Sequence, residues 1–196
     1  MNSCWKKPAM LTLLAWSLIP CLGQAPATQG VTVDPGLLAK ANAGDAASQV
    51  QVADAYAAGN GAKPDYKQAA IWYRKAADQG NTAAGVHLAD LYRDGRGVVR
   101  DMAQAAAWYR KAAESGDAGA QGTLGLLYSV GMGVAHDDVE AYYWLCLAAS
   151  VKGPNQDRYI VNRQSVGEHI TTDQQAAVEE RVAAWKAAHP RSNVHE

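Results

Sequence analysis

Gly80–Ser115 reads GNTAAGVHLADLYRDGRGVVRDMAQAAAWYRKAAES, and the sequence on either side repeats it. Moved by 36 residues in either direction, its landmarks return. Tyr56, Tyr92 and Tyr128 align, as do Trp72, Trp108 and Trp144. The glycine pairs Gly59/Gly61, Gly95/Gly97 and Gly131/Gly133 keep the same register. So do Ala76-Ala77, Ala112-Ala113 and Ala148-Ala149, and the column Asp65, Asp101, Asp137. Three copies without an insertion define a structural repeat, and a period of this size belongs to stacked supersecondary units rather than to a closed globule.

Each copy divides into two helical stripes. A first helix is predicted over roughly 46–58, 82–94 and 118–130. Its inward positions are Ser48/Ala84/Ala120, Val52/Leu88/Leu124, Ala53/Ala89/Gly125 and Tyr56/Tyr92/Tyr128, spaced i, i+4, i+5 and i+8. The small residue beside each Val or Leu admits a closely packed partner, and the Gly-x-Gly that follows suits a tight reversal. A second helix is predicted over roughly 66–78, 102–114 and 138–150, opened by Asp65, Asp101 and Asp137 as N-caps. Ala69, Trp72, Ala76 and their equivalents face inward, and Arg74-Lys75 and Arg110-Lys111 fall late in the helix, where positive charge is favoured. The Tyr/Trp stripe keeps helical spacing and repeat period, so it reads as core rather than as a ligand cage.

The ends differ from the repeats. Residues 1–25 combine Lys6-Lys7 with the apolar run Met10–Ile19, too short to span a bilayer but suited to an export signal, with cleavage expected after Ala25. Removal of that segment leaves Cys146 as the one thiol, so packing rather than cross-linking holds the fold. Residues 26–33 read as a flexible lead-in, and 34–43 as a half-repeat helix opened by Asp34-Pro35. The three repeats occupy 44–152. In the third copy Cys146-Leu147 replaces Arg-Lys, and Leu145 replaces Tyr73/Tyr109. This apolar face requires a cover. Residues 153–188 are expected to supply it: a helix over 155–167, then one running to about 188 that starts with a capping box at Thr172–Gln175 and carries Val178, Val182 and Trp185. That last helix is expected to pack across the third repeat and bury Cys146, with 189–196 a flexible tail.

Composition removes several classes of function. The net charge is −1 with no basic stripe, which excludes a phosphate-tracking nucleic-acid surface. No membrane span is expected once the export signal is gone. His87, Asp90 and Asp94 share a helix face at i, i+3 and i+7, a spacing metal sites use, but they read as a solvated charged face, and no metal or cofactor is expected. Ser-x-x-Lys occurs only at Ser3–Lys6, and Ser150-Val151-Lys152 has the wrong spacing for one helical face. There is no Gly-x-Ser-x-Gly and no phosphate loop. Apolar surroundings should raise the pKa of Cys146 and leave it inert. The mature sequence offers no convergent nucleophile and base.

These landmarks resemble the Sel1-like repeat family, a relative of the tetratricopeptide repeats. The matching residues are Gly116-Asp117, Ala120-Gln121, Leu124-Gly125, Tyr128, Gly131-x-Gly133-Val134, Asp137, Ala141, Trp144 and Ala148-Ala149. Repeat two matches nearly as well, repeat one has Ala62 where Val is usual, and the resemblance covers about 44–150. It implies an all-α, right-handed α-solenoid of three helix-turn-helix repeats that acts as an adaptor for proteins or peptides. Bacterial secreted members are associated with envelope assembly, signalling regulation or host contact. Cysteine-rich relatives linked to β-lactams carry a disulfide in each repeat, which this chain lacks.

By analogy with tetratricopeptide grooves, the first helices line a concave face through Val50/Val86/Gly122, Asp54/Asp90/Leu126, Arg93/Ser129 and Asp94/Val130, with His87 on the same face. Such a groove runs from acidic to apolar and suits an extended peptide with a basic end and an apolar end. The expected function is an exported, monomeric, non-enzymatic interaction module. A cell-wall-related or β-lactam-type hydrolase and a structural spacer without a tight ligand are the alternatives.

Overall fold

The computed structural model describes residues 30–60 and 62–190. The expected export signal, the start of the lead-in, Gly61 and most of the tail lie outside the described residues. Within them the chain is all-α: nine helices and no strand. α1 (Pro35–Asn42) precedes three helix pairs: α2 (Ala46–Ala58) with α3 (Tyr66–Asp78), α4 (Thr82–Asp94) with α5 (Met102–Glu114), and α6 (Ala118–Val130) with α7 (Asp138–Ala149). α8 (Gln156–Gly167) and α9 (Thr172–Ala188) close the stack. α1 to α8 pack chiefly on their sequence neighbours, the hallmark of a solenoid, whereas α9 packs on α7.

Local chemistry sets the boundaries. Asp65, Asp101 and Asp137 accept backbone N–H bonds from Gln68, Gln104, and Val139 with Glu140, as their spacing implied. Asp45, Asn81 and Asp117 cap the first helices in the same way, a column the sequence reading left unassigned. At the far end, Gly95 adopts φ +68° and Gly97 φ +73°. A Cβ at Gly97 would also collide with the Tyr66 backbone, and one at Gly133 with that of Met102. The second and third turns therefore seat on the start of the preceding repeat's second helix. The capping box of α9 forms one residue earlier than expected, between Thr171 and Gln174. Two Thr/Gln registers were available, and Gln175 instead donates to the Gly167 carbonyl at 2.7 Å, which fixes the choice.

The core follows the predicted columns. Val52, Leu88 and Leu124 are fully buried, as are Ala69, Ala105 and Ala141, and Trp72, Trp108 and Trp144 are nearly so. Gly125 lets α7 approach so closely that a Cβ would sit 2.7 Å from Leu145 Cγ. Adjacent repeats are stitched by a recurring bond: Arg74 donates to the Tyr92 hydroxyl, Arg110 to the Tyr128 hydroxyl, each guanidinium lying about over the ring it serves. Lys75 and Lys111 cover Trp72 and Trp108 at 3.9 and 4.0 Å from the ring centres.

In the third repeat that outer surface is buried instead. α9 lies across α7 and Cys146 is buried, as expected, but α8 packs on α7 as well, contributing Tyr159 and Val166 beside Val178 and Val182. Arg181 pins α9 by a 2.7 Å bond to Glu140 while stacking 4.3 Å over Tyr143. Trp185 is half-buried and stacks on His189. Burial raises the pKa of the Cys146 thiol, which keeps it protonated and unreactive at neutral pH.

Candidate functional site

The residues assigned to the groove separate into two sets. Val50 and Val86 are half-buried against the core, and Gly122 is buried outright. Glycine is required there: a Cβ would run into the ring of Tyr159 from α8. Gly122, read from the sequence as outward-looking, therefore faces α8. The error came from treating each repeat alone, because the neighbour's position is invisible within one copy.

The second set faces outward. Asp54 and His87 are exposed, Leu126 is half-buried and Val130 is 63% exposed. Asp90, Arg93 and Asp94 form a bonded cluster. Arg93 pairs with Asp90 at 2.7 Å and with Asp94 at 2.9 Å, and Arg96 reaches Asp94 at 2.9 Å. The bond from Arg93 holds the Asp94 carboxyl below its usual range, and the same bond raises the Arg93 pKa. The acidity expected at the second repeat is thus offset within the repeat itself. The spacing of His87, Asp90 and Asp94 does not bring them together as ligands: His87 packs its ring 5.0 Å from that of Tyr73, while both carboxylates are held by arginine. Among the described residues no group of His, Cys, Asp and Glu is placed to hold a metal ion.

The sequence reading missed the bond beneath this face. The Tyr73 hydroxyl donates to Asp54 and the Tyr109 hydroxyl to Asp90, both at 2.5 Å, and Arg93 donates to the Tyr109 oxygen at 2.7 Å. Both tyrosines are buried. Burial, then the bond to a carboxylate, raises both phenolic pKa values. A signal was present: the partners lie 19 residues apart in both repeats, and at the same separation in the third repeat both change together, to Leu126 and Leu145.

A helical array whose repeat residues are consumed by stacking, with one face carrying varied side chains, defines an α-solenoid scaffold. The sequence matches the Sel1 repeat over residues 46–81, 86–117 and 118–150, just over half of the chain. A solved Sel1 repeat protein from Oxalobacter formigenes is 33% identical over 66% of this chain and 96% of its own, with a TM-score of 0.59. A protective antigen present in uropathogenic Escherichia coli strains, displaying an SLR fold, is 32% identical over 80% of this chain, with a TM-score of 0.68. This chain spans about a third of that antigen's length. No match was found among proteins of curated function. The chain belongs to the Sel1 repeat family. Proteins of this family are generally interaction modules and generally non-catalytic.

Proposed function

We propose that this chain is an exported, non-enzymatic adaptor that binds a protein or extended peptide on the face formed by α2, α4 and α6, the counterpart of the concave groove of tetratricopeptide repeats. The observation carrying this reading is the division of residues on those helices. Most columns that keep the 36-residue repeat are taken up by packing, whereas accessible columns change along the stack: Asp54/Asp90/Leu126, Gln51/His87/Thr123 and Ala58/Asp94/Val130. Stability gives no reason to vary an exposed face in this graded way, whereas recognition does. Export is read from residues 1–25, and among the described residues no helix is long and apolar enough to cross a membrane. A monomer is the expected state, because α1 and the α8–α9 pair close the two ends of the stack.

Proximity labelling in the native envelope tests the reading. The intact chain is compared with Asp54→Asn/Leu126→Asp, which leaves the arginine cluster in place. One labelled protein that disappears with the variant supports the adaptor and its site. Labelling identical in both chains moves the site elsewhere, and labelling no stronger than that of an unrelated exported control favours a spacer.

A further inference from the structure

α8 carries the repeat further than its sequence suggests. Gln49 Nε2 donates to the Ala41 carbonyl at 3.0 Å, and Gln121 Nε2 to the Ala113 carbonyl at 3.1 Å. Gln156 Nε2 makes the same bond to the Ala149 carbonyl at 3.0 Å. The acceptors keep the 36-residue period, but Gln156 follows Gln121 by only 35. One residue has been lost from the connection, which hides the homology from a fixed-period reading. In the corrected register Tyr159 follows Val52, Leu88 and Leu124, and it is buried as they are. α8 also stacks on α7 as α4 stacks on α3 and α6 on α5. It is the first helix of a fourth unit whose second helix, α9, has been redirected onto α7.

The same register places Val161 in the column Asp54, Asp90, Leu126, and Val161 is 61% exposed. Val130, one turn beyond Leu126, is 63% exposed. Along this column the character changes in steps. Asp54 accepts the Tyr73 hydroxyl, and among the described residues no cation lies within ion-pair distance of it. Asp90 is paired with Arg93, while Leu126 and Val161 are apolar.

We propose that α8 lengthens the recognition face to four helices, and that its occupant is an extended polypeptide segment. That segment carries a lysine or arginine opposite Asp54 and large apolar side chains opposite Leu126, Val130 and Val161. The proposal rests on the adaptor reading, fixes the residue that meets each end of the segment, and adds a far boundary at α8. Charge complementarity selects the basic end, because among the described residues Asp54 is the carboxylate of the column without an ion-pair partner. At the other end Val130 and Val161 are exposed and apolar on neighbouring first helices, α6 and α8, and apolar side chains of a partner would cover them.

The test is selection of a displayed 12-residue random-peptide library on the full chain, followed by titration of the best synthetic peptide. The expected result is a consensus with a basic residue and large apolar residues at fixed separation. Its affinity should fall about tenfold in Val161→Asp and in Asp54→Asn, the loss typical of one central contact. Both sites are exposed, and Asn keeps an acceptor for Tyr73, so neither change should disturb the fold; an unchanged melting temperature verifies this. Binding weakened by Leu126→Asp but untouched by Val161→Asp overturns the role of α8 and leaves the adaptor reading standing. A consensus lacking a basic residue overturns the charge assignment. Failure to select any peptide overturns the extended occupant, while envelope labelling still reports independently on adaptor function.

Discussion

The second and third repeats share nearly every packing residue and solve their surroundings differently. In the second, Tyr109 reaches out of the core to Asp90, Arg93 and Arg96 bind the carboxylates, and Lys111 covers Trp108. In the third, Leu145, Leu126 and Leu147 replace Tyr109, Asp90 and Lys111, Cys146 replaces Arg110, and α8 and α9 supply the cover that charged side chains supply upstream. Polar pairs suit a repeat that faces water, because each partner is satisfied without a further element. An apolar equivalent works only where another helix arrives. The exchange is also paired: Asp90 with Tyr109 becomes Leu126 with Leu145, since a buried hydroxyl without its acceptor is costly.

The sharpest way to break this comparison is to move one member of the pair. Leu145→Tyr alone should destabilise by about 2–4 kcal/mol, combining overpacking at a fully buried site with an unpaired hydroxyl. Adding Leu126→Asp should recover about 1–2 kcal/mol relative to additivity, as a tyrosine–carboxylate bond forms. Urea unfolding of both single variants and the double variant measures the coupling, and strict additivity would refute the paired exchange.

Alkaline titration probes the same bonds more gently. Tyr73 and Tyr109 have folded pKa values raised above the value near 10 of an unfolded chain. Their neutral forms are thus favoured in the native state. Their contribution is fully present below about pH 10 and lost as pH climbs toward the folded values. The melting temperature should fall above about pH 10, and Tyr73→Phe/Tyr109→Phe should make that fall shallower. It should not flatten it, because burial raises Tyr142, Tyr143 and Tyr159 too. Parallel profiles for variant and parent would show that these two hydroxyls are not the sensitive groups.

The smallest effect sharpens the comparison at a different column. Gln121 fills the junction ahead of the third repeat, whereas the second repeat has Gly85 there and a cavity of about 80 Å³ bounded by Ala77, Trp108 and Ala112. A Cβ at Gly85 meets Trp108 at an ordinary 3.8 Å. Gly85→Ala should therefore stabilise by about 0.5–1 kcal/mol through helix propensity, seen as a higher urea midpoint at constant slope. A lower midpoint would mean that the cavity is a required gap.

Several features were legible without coordinates, each for a local reason. Helix positions followed from the period and from Asp caps, because hydrogen bonding at a helix start is decided within four residues. The core columns followed because stacked copies must bury the same face. The need for a C-terminal cover followed from Cys146-Leu147. The site was less legible. Asp54, His87 and Val130 are exposed, Val50, Val86 and Leu126 are half-buried and Gly122 is buried, because exposure along these columns depends on where the next helix lies. The pairing of Arg93 with Asp90 was available from their i,i+3 spacing on α4 and was not read, whereas Arg96 reaches Asp94 only once the turn has brought it back.

The sequence by itself therefore determined the repeat, its two helices, their caps and the identity of the core, all properties of short segments under a fixed period. Tertiary structure alone decided that Tyr73 and Tyr109 serve carboxylates 19 residues away, that Tyr159 sits on Gly122, and that α8 continues the stack while α9 leaves it. These depend on how one unit is placed against another. A one-residue change of register is enough to conceal that placement from the sequence while leaving the packing intact.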